Sequence, residues 1–482
     1  MRSLAAVVII LLAGWQSLPA QDVTDPREMF DFGVDFFLSE DYEEAVYYFL
    51  KLVDLYPDNA NFNWKVGETY LRIPGQEQKA IPYLEKAVKK TSLKYKPRSF
   101  EEKNAPHHAM FYLGNAYRIN NELEKALNTY QEFMDSEDFK GNYNVSMVED
   151  EVARCQRAYI IKDVPVNIRK TRLDAPINTG GNNFNPVVSA DGNTLVYVTS
   201  LTFFDAIELS RKENGTWGEP EVLNPQVQSD GNYYPTSINR DGTELFMVEK
   251  NTGNQDIFVS RLDGPFWSKA KKLGKNINTG GRESHASISS DGKTLYFTSD
   301  RSGGFGGLDI YTSMRQEDGT WGPATNLGPV INTEFNEETP FITKDDSRLY
   351  FSSDGHFSMG GYDIFYAELI DGKWRDPVNR GYPINTTGDD LFYFPLTRED
   401  QALYSMIDRA GPGTSDIYRI EILPKGASSK EPEKGEMKFG KDFNLLLIDQ
   451  ETGDTLVIRY DSMEQHFQLL QKGAKYKIKV IE

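Results

Sequence analysis

Cysteine and histidine are scarce in this chain of 482 residues. Its one cysteine is Cys155, so no disulfide can form within the chain, and a cysteine-rich zinc or iron–sulfur site is excluded. Cys155 lies in VEDEVARCQRAYII, where helical periodicity predicts a small buried apolar residue rather than a catalytic thiol. The five histidines are scattered apart from His107 and His108, and none shows metal-ligand spacing. The sequence therefore predicts neither a metal site nor a cofactor.

Positive charge is also in deficit. The chain has 53 Lys and Arg against 72 Asp and Glu residues, which leaves a formal net charge of −19. Phosphate backbones are bound by clustered Lys and Arg, so this balance argues against a nucleic-acid partner. With 39% apolar and 26% charged residues, the composition is that of folded domains, and the length predicts two to four of them.

Long hydrophobic runs are absent too, which excludes a polytopic membrane protein. The apolar run at residues 4–14 follows Arg2 and precedes the small residue Ala20, a pattern typical of a secretory signal peptide over residues 1–20. No cysteine lies near that segment to carry a lipid. We therefore expect an exported, periplasmic protein that starts at about Gln21 and does not span the membrane.

Two internal repeats are present, and the first is helical. A glycine in each unit is followed twelve or thirteen residues later by an alanine, and four residues after that by a large side chain. These positions are Gly33, Ala45 and Phe49; Gly67, Ala80 and Leu84; and Gly114, Ala126 and Tyr130. The spacing predicts pairs of antiparallel helices in close contact at the small residues, with the large residue filling the adjacent gap.

This pattern resembles the tetratricopeptide repeat, and the first unit matches it at Gly33, Phe36, Ala45, Phe49 and Pro57. The resemblance implies an α-solenoid over residues 21–162, with three units, an insertion at 91–106 and a capping helix at about 143–160. The first helix of each unit then lines a concave, partner-binding groove. The residues expected there are Phe37, Trp64, Glu68, Phe111, Asn115 and Arg118. For Phe37 and Phe111 the alternative is ordinary packing between repeats.

The second repeat has a period of 50 to 54 residues and is rich in β structure. Its turn positions are Asp191, Asp241, Asp291, Asp345 and Glu399, each followed four residues later by the leucine of a short apolar strand. A Gly/Asn-rich turn and a strand such as Asp309-Ile310-Tyr311 come next. A fourth element begins at Trp217, Trp267, Trp321 and Trp374. Four strands at this period predict the blades of a β-propeller over residues 163–424.

Counting the strands predicts how the propeller closes. The first three strand types occur five times but the tryptophan strand only four times. The missing outer strand is expected from residues 164–173, which gives five blades latched by an N-terminal strand, with a sixth, irregular blade as the alternative. The SGGFGG stretch at 302–307 joins two strands and lacks the Lys and helix of a phosphate loop, so it is expected to be a turn.

The S-x-D-G-x-x-L-Y-F core of this repeat resembles the WD40-like repeats of periplasmic TolB-type propellers. The aligned acidic residues are expected to have a structural role in the turns. Residues just before each inner strand differ between blades, which favours them as a binding surface for protein or peptide. The side chains expected on that propeller face are Phe184, Tyr233, Tyr234, His285, Phe392 and Tyr393.

The C-terminal part consists of a polar linker at 425–435 and alternating strands over 436–482. It resembles the start of a carboxypeptidase-regulatory-like β-sandwich, with Lys472-Gly473-Ala474-Lys475-Tyr476 as its turn. The segment is shorter than a whole sandwich, so it is either a minimal module or a truncated one.

The order of these modules resembles periplasmic accessory proteins of the type IX secretion and gliding apparatus. Members of that class usually end in an OmpA-like peptidoglycan-binding domain, which this sequence lacks, so the anchor is not carried over unless the C-terminus is truncated. The resemblance implies a non-enzymatic scaffold in contact with envelope or secretion-apparatus proteins, associated with the outer membrane. Peptidoglycan or glycan binding is the alternative. A propeller hydrolase ranks lower, because no nucleophile elbow or cofactor fingerprint appears.

Overall fold

The computed structural model describes residues 24–179, 181–201, 203–249, 255–396, 400–407, 415–423, 444–449, 455–459 and 476–481. The signal peptide and linker predicted above lie outside these residues. The chain divides into two compact units, residues 1–424 and 425–482. Within the described part of the chain, no helix is both long enough and apolar enough to cross a membrane.

The N-terminal part of the first unit is helical, and each helix packs on the next along the chain. The helices are α1 (Pro26–Leu38), α2 (Tyr42–Leu55), α3 (Ala60–Tyr70), α4 (Ile81–Ala87), α5 (Ala109–Ile119), α6 (Leu123–Asp135) and α7 (Val145–Asp163). A 3₁₀ turn (Glu77–Ala80) precedes α4, and the insertion forms one parallel pair of β1 (Thr91–Ser92) with β2 (Ala105–Pro106). Asp25, Asp41, Asn59 and Asn144 cap α1, α2, α3 and α7 through side-chain oxygens.

The predicted close contacts within the helix pairs are confirmed. A Cβ added to Gly33 would lie 2.6 Å from the Phe49 ring, and one added to Gly67 would lie 2.6 Å from Leu84. At Gly114 the same atom would lie 2.3 Å from Tyr130. Glycine is required at these positions because the large side chain of the second helix occupies the space of a methyl group.

A five-bladed β-propeller follows the helices, as predicted. Strand β3 (Ile168–Arg172) comes first and belongs to blade 5. Blade 1 contains β4 (Asn182–Val188), β5 (Thr194–Ser200), β6 (Asp205–Glu213), β7 (Thr216–Trp217) and β8 (Glu221–Val222), and a short helix α8 (Asn224–Val227) leads to the next blade. Blade 2 contains β9 (Tyr233–Ile238), β10 (Glu244–Glu249), β11 (Ile257–Asp263), β12 (Phe266–Trp267) and β13 (Lys271–Lys272).

The other three blades repeat this antiparallel order. Blade 3 contains β14 (Glu283–Ile288), β15 (Thr294–Ser299), β16 (Asp309–Met314) and β17 (Thr325–Asn326). Blade 4 contains β18 (Glu337–Ile342), β19 (Arg348–Ser353), β20 (Asp363–Ile370), β21 (Lys373–Trp374) and β22 (Val378–Asn379). Blade 5 contains β23 (Tyr393–Pro395), β24 (Gln401–Ile407) and β25 (Ser415–Ile422), with β3 at its edge.

The predicted latch is confirmed, since β3 pairs antiparallel with β25 from Ile168↔Ile422 to Arg172↔Tyr418. The tryptophan strands differ from expectation. Trp217, Trp267 and Trp374 end two-residue strands, while Trp321 forms an isolated bridge with Arg315. A two-residue strand follows each tryptophan and pairs with the third strand of the blade, because the chain turns back there.

A buried asparagine joins each connection to the third strand of the preceding blade. Asn332 accepts from the Ile310 N–H at 2.8 Å and donates to the Ile310 carbonyl at 3.0 Å. The equivalent residues are Asn178, Asn224, Asn278 and Asn385. Asn178 binds Ile417 of blade 5, so the same contact that joins neighbouring blades also closes the ring.

The second unit has one three-stranded antiparallel sheet among its described residues. Strand β26 (Asn444–Asp449) lies between β27 (Thr455–Arg459) and β28 (Tyr476–Ile481). Both pairings are antiparallel. The described strands form a single layer, so a β-sandwich remains a prediction.

Candidate functional site

The helices pack onto one face of the propeller, the face at which the first strand of each blade begins, here called the docked face. The contact is made by α7 and the loop of blade 4 between β19 and β20. Arg154 donates from Nη1 to the Gly360 carbonyl at 2.9 Å and from Nη2 to the Asp354 carbonyl at 3.0 Å. Arg157 Nε donates to the Ser358 carbonyl at 2.6 Å. Charged donors on backbone carbonyls make this a strong and oriented contact.

An apolar side chain completes the contact. Met359, at the tip of the blade 4 loop, is 0% exposed and belongs to the same buried cluster as the core of the helices. Burial and the neighbouring charge of Arg154 lower the pKa of Arg157 to about 10, so the Arg157 guanidinium stays charged at neutral pH. Helices and propeller are therefore joined by both apolar burial and charged hydrogen bonds.

Arg118, predicted to lie in a partner-binding groove, is used in this internal contact. Its Nη1 donates to the Thr387 carbonyl at 2.5 Å, and its Nε lies 2.7 Å from Glu151 Oε2. Glu151 also lies 3.8 Å from Arg154 Nε. The charge of Arg118 is thus explained by a neighbour within the chain.

The other predicted groove residues lie along α1, α3 and α5. Trp64 is buried and meets Tyr112 edge-on at 5.1 Å between ring centroids. Lys65 Nζ lies 5.5 Å from the centre of the Phe37 ring and 3.6 Å from Glu68 Oε2, which brings Phe37 and Glu68 together. Burial raises the pKa of Glu68, against the effect of Lys65.

The remaining two groove residues make contacts inside the third helix pair. The Phe111 ring lies 5.9 Å from the Tyr130 ring, and Asn115 Oδ1 accepts from the Tyr130 hydroxyl at 2.6 Å. Phe111 is partly buried against the helical core, which agrees with the alternative that it packs between repeats. Partner binding by this groove stays a prediction.

Three of the predicted propeller residues meet on the docked face, at the channel. The His285 ring lies 5.5 Å from the Tyr234 ring and 5.3 Å from the Phe392 ring, so blades 2, 3 and 5 converge there. His285 and Phe392 have positive φ values of 45° and 61°. The register shift in β14 next to His285 turns this side chain toward the other blades.

Charged groups surround this ring cluster. Glu338 Oε2 lies 3.8 Å from His285 Nδ1, and Arg282 Nη2 lies 3.3 Å from Glu338 Oε1. Burial and the positive charge of Arg282 lower the pKa of His285 to about 3, whereas burial raises the pKa of Glu338. His285 is therefore neutral at physiological pH.

The other three propeller residues are placed elsewhere. Tyr233 packs on Phe258 of its own blade at 4.9 Å between ring centroids. Tyr393 stacks on Tyr350 at 5.6 Å in the core between blades 4 and 5. Phe184 packs against the core cluster of blades 1 to 3.

A cavity of about 530 Å³ opens at the opposite face, here called the hairpin face. All five blades contribute residues from the ends of their inner strands. The lining includes Ser237, Ser287, Phe341, Thr343 and Phe394. The Ser237 hydroxyl is buried without a hydrogen-bond partner among the described residues. The cavity can take a ligand that offers both apolar surface and hydroxyl groups.

Exposed aromatic residues lie on two loops of the docked face. In blade 1, Leu201 and Phe204 are exposed, and Phe203 is 94% exposed. In blade 3, Phe305 of the SGGFGG loop is 50% exposed. Isolated exposed apolar residues are common, but three on one loop, as in blade 1, are typical of an interaction surface.

Arg154, Arg157 and Met359, which join the two modules, are not among the residues predicted from the sequence. The sequence does mark the blade 4 loop as different, because HFSMGG stands there in place of the SGGFGG of blade 3. Cys155 was predicted correctly as a buried residue, and burial raises its thiol pKa to about 12. No group of three or more metal-binding side chains occurs among the described residues.

No family model and no curated protein matches this sequence. Among solved structures, the chain is similar to TolB from Acinetobacter baumannii, at 17% identity over 60% of this chain and 70% of that chain, with a TM-score of 0.33. It is similar to a putative TolB from Agrobacterium tumefaciens, at 15% identity over 50% and 74% of the two chains, with a TM-score of 0.30. It is also similar to a thermostable family-43 glycoside hydrolase, at 17% identity over 55% and 100%, with a TM-score of 0.36.

Proposed function

We propose that this protein is a non-enzymatic interaction scaffold of the periplasm, associated with the outer membrane and accessory to a type IX secretion or gliding apparatus. In this proposal the helices are a tetratricopeptide-type array, and the propeller and helices bind envelope proteins. The observation that carries the proposal is the exposed aromatic loop of blade 1 on the docked face. Phe203 at 94% exposure has no role in the core, whereas aromatic side chains are frequent anchors of protein interfaces.

The fixed arrangement of the modules supports this proposal. Arg154, Arg157 and Arg118 bind four backbone carbonyls of the propeller across the contact, so helices and propeller present their surfaces together. Two surfaces held together raise the effective concentration of each for a shared partner, so individually weak contacts suffice.

The test is crosslinking of the full-length protein in its native envelope, followed by identification of the proteins recovered. Replacing Phe203 and Phe204 by Ala should reduce recovery of the main partner at least tenfold. Phe266→Ala is the matched control, because Phe266 is an exposed aromatic residue at the hairpin face. Unchanged recovery with the double variant would remove blade 1 from the surface, and recovery of no protein at all would contradict the scaffold function.

A second function, glycan binding, is favoured by the cavity of the hairpin face. Its hydroxyls and its two phenylalanine rings, Phe341 and Phe394 at 5.1 Å, suit a sugar that stacks and donates hydrogen bonds. Soluble peptidoglycan fragments should then bind the purified protein, and Ser237→Ala should weaken binding at least tenfold. Equal binding by both proteins would exclude this cavity.

A further inference from the structure

Two loops of the docked face are built alike, one in blade 3 and one in blade 4. The blade 3 loop, residues 300–308, ends at Asp309, and the blade 4 loop, residues 354–362, ends at Asp363. Phe305 in the first corresponds in position to Met359 in the second. Asp309 Oδ2 accepts from the Phe305 N–H at 2.6 Å, and Asp363 Oδ2 accepts from the Met359 N–H at 2.9 Å.

The bases of the two loops also share their contacts. The Gly307 N–H donates to the Phe335 carbonyl at 2.8 Å, and the Gly361 N–H donates to the Gly388 carbonyl at the same distance. In each case an asparagine binds the loop aspartate, Asn326 at 2.7 Å in blade 3 and Asn379 at 2.8 Å in blade 4. The two loops therefore present equivalent backbone groups to the docked face.

Only the blade 4 loop is covered. There, α7 places Arg154 and Arg157, three residues apart on one helix face, on the carbonyls of the loop, and Met359 is fully buried. In blade 3, residues 302–307 are all exposed, including half of the Phe305 side chain. The structure thus contains one occupied and one unoccupied copy of the same docking element.

We propose that the blade 3 loop binds an α-helix of a partner protein in the way that the blade 4 loop binds α7. Phe305 enters an apolar recess beside that helix. Two arginines one turn apart on the helix donate to the carbonyls of Asp300, Gly304 and Gly306, which correspond to those of Asp354, Ser358 and Gly360. This inference rests on the proposed scaffold function and names the chemistry of its partner.

Charge and position favour an arginine-bearing helix. Glu334 is exposed, and its position in the connection between blades 3 and 4 corresponds to that of Thr387 in the next connection. Thr387 is the residue whose carbonyl binds Arg118. The site is continuous with the existing contact, since Phe335 supports the blade 3 loop and also lines a cavity of about 320 Å³ with Arg154 and Arg157. A second copy of this chain is disfavoured, because its Arg154 and Arg157 already bind its own blade 4.

The experiment places the photoreactive amino acid p-benzoylphenylalanine at position 305 of the full-length protein in the native envelope. A second protein carries the same amino acid at position 203, and a control carries it at position 266. The crosslinked segment is mapped by mass spectrometry and made as a synthetic peptide for binding to the purified protein. Since Phe305 is exposed, Phe305→Ala should fold normally, which an unchanged circular dichroism melting curve checks.

We expect position 305 to crosslink to a helical segment with two arginines three or four residues apart. Glu334→Lys, Phe305→Ala and replacement of the peptide arginines by Ala should each weaken peptide binding at least tenfold. A crosslink to a second copy, to a segment without the arginine pair or to glycan would overturn the proposal. So would the absence of a crosslink at 305 while position 203 still captures a protein, an outcome that leaves the scaffold function intact. Failure at both positions would overturn both.

Discussion

Single residues set how closely the elements of this protein approach one another. Gly114 in α5 faces Tyr130 in α6, and the same small-against-large contact recurs in the other two helix pairs. These contacts are local in the sequence, so the spacing of glycine and large residues was enough to predict them.

At Gly114 we predict that substitution by Ala destabilises the helical region by about 2 kcal/mol, because the added Cβ would overlap the Tyr130 ring and overpacking has a cost of this size. Urea unfolding of the full-length protein measures the change. Gly280→Ala is the control, since a Cβ there would meet nothing within 4 Å. Equal stability of both variants would show that the helix pair relaxes around the methyl group.

The blade asparagines are a second residue-scale feature, and Asn332→Ala tests them. The change leaves the buried N–H and carbonyl of Ile310 without their side-chain partner, which we expect to cost about 3 kcal/mol. Thermal and urea unfolding report it. Asn142→Ala removes an exposed hydrogen bond to Asp138 and should change stability by less than about 0.5 kcal/mol.

At the scale of elements, the loop of blade 4 contains an aspartate, Asp363, whose pKa is changed by burial. Asp363 holds the loop through the Met359 N–H and Asn379, yet it is fully buried beside Asp390. Burial, with the negative charge of Asp390, raises the pKa of Asp363 to about 8. We therefore expect the stability of the loop that docks the helices to depend on pH.

This raised pKa predicts a pH dependence of stability. Between its pKa in the unfolded chain, near 4, and its folded value, Asp363 binds more protons in the native state. The free energy of unfolding therefore falls as pH rises from 6 to 8, with about 1 kcal/mol per pH unit attributable to Asp363. Asp363→Asn should remove that part of the slope. Asp318→Asn, at an exposed turn, should leave the slope unchanged, and a slope equal in all three proteins would contradict the assignment.

At the scale of the whole molecule, closure of the ring depends on a strand distant in sequence from its partner. Strand β3 pairs with β25, and Arg172 binds Asp416 at 2.7 Å. This contact fastens the end of the helical region to the last blade. The helices are therefore connected to the propeller in two ways, through this joint between β3 and β25 and through the contact between α7 and blade 4.

We predict that replacing Lys170 and Thr171 by proline opens this joint. Successive N–H groups of a strand point to opposite sides, so one of the two prolines removes a bond to β25, at a cost of about 3 kcal/mol or more. Hydrogen exchange should rise in β24 and β25 first. Arg169→Ala breaks only an exposed ion pair with Glu421 and should have an effect below about 1 kcal/mol. If hydrogen exchange in β24 and β25 were equally slow in the proline variant and in Arg169→Ala, the ring would not depend on β3.

Regular residue spacing was enough to predict the helix pairs, the propeller blades and the strand that closes the ring. Each of these depends on residues at a regular spacing, such as Gly33 with Phe49 or the strand count that assigned residues 164–173 to blade 5. Periodicity records which face of an element is buried, and burial selects the same residue types in every repeat.

The contact between helices and propeller could not be predicted from residue spacing. Arg118 was expected to face a partner, but it binds the Thr387 carbonyl of this same chain. Arg154 and Arg157 bind backbone carbonyls, which every residue has, so the acceptors leave no trace in the sequence. The ring cluster of Tyr234, His285 and Phe392 likewise joins residues of three blades. Contacts between distant segments depend on the closed ring, because closure alone brings them within reach.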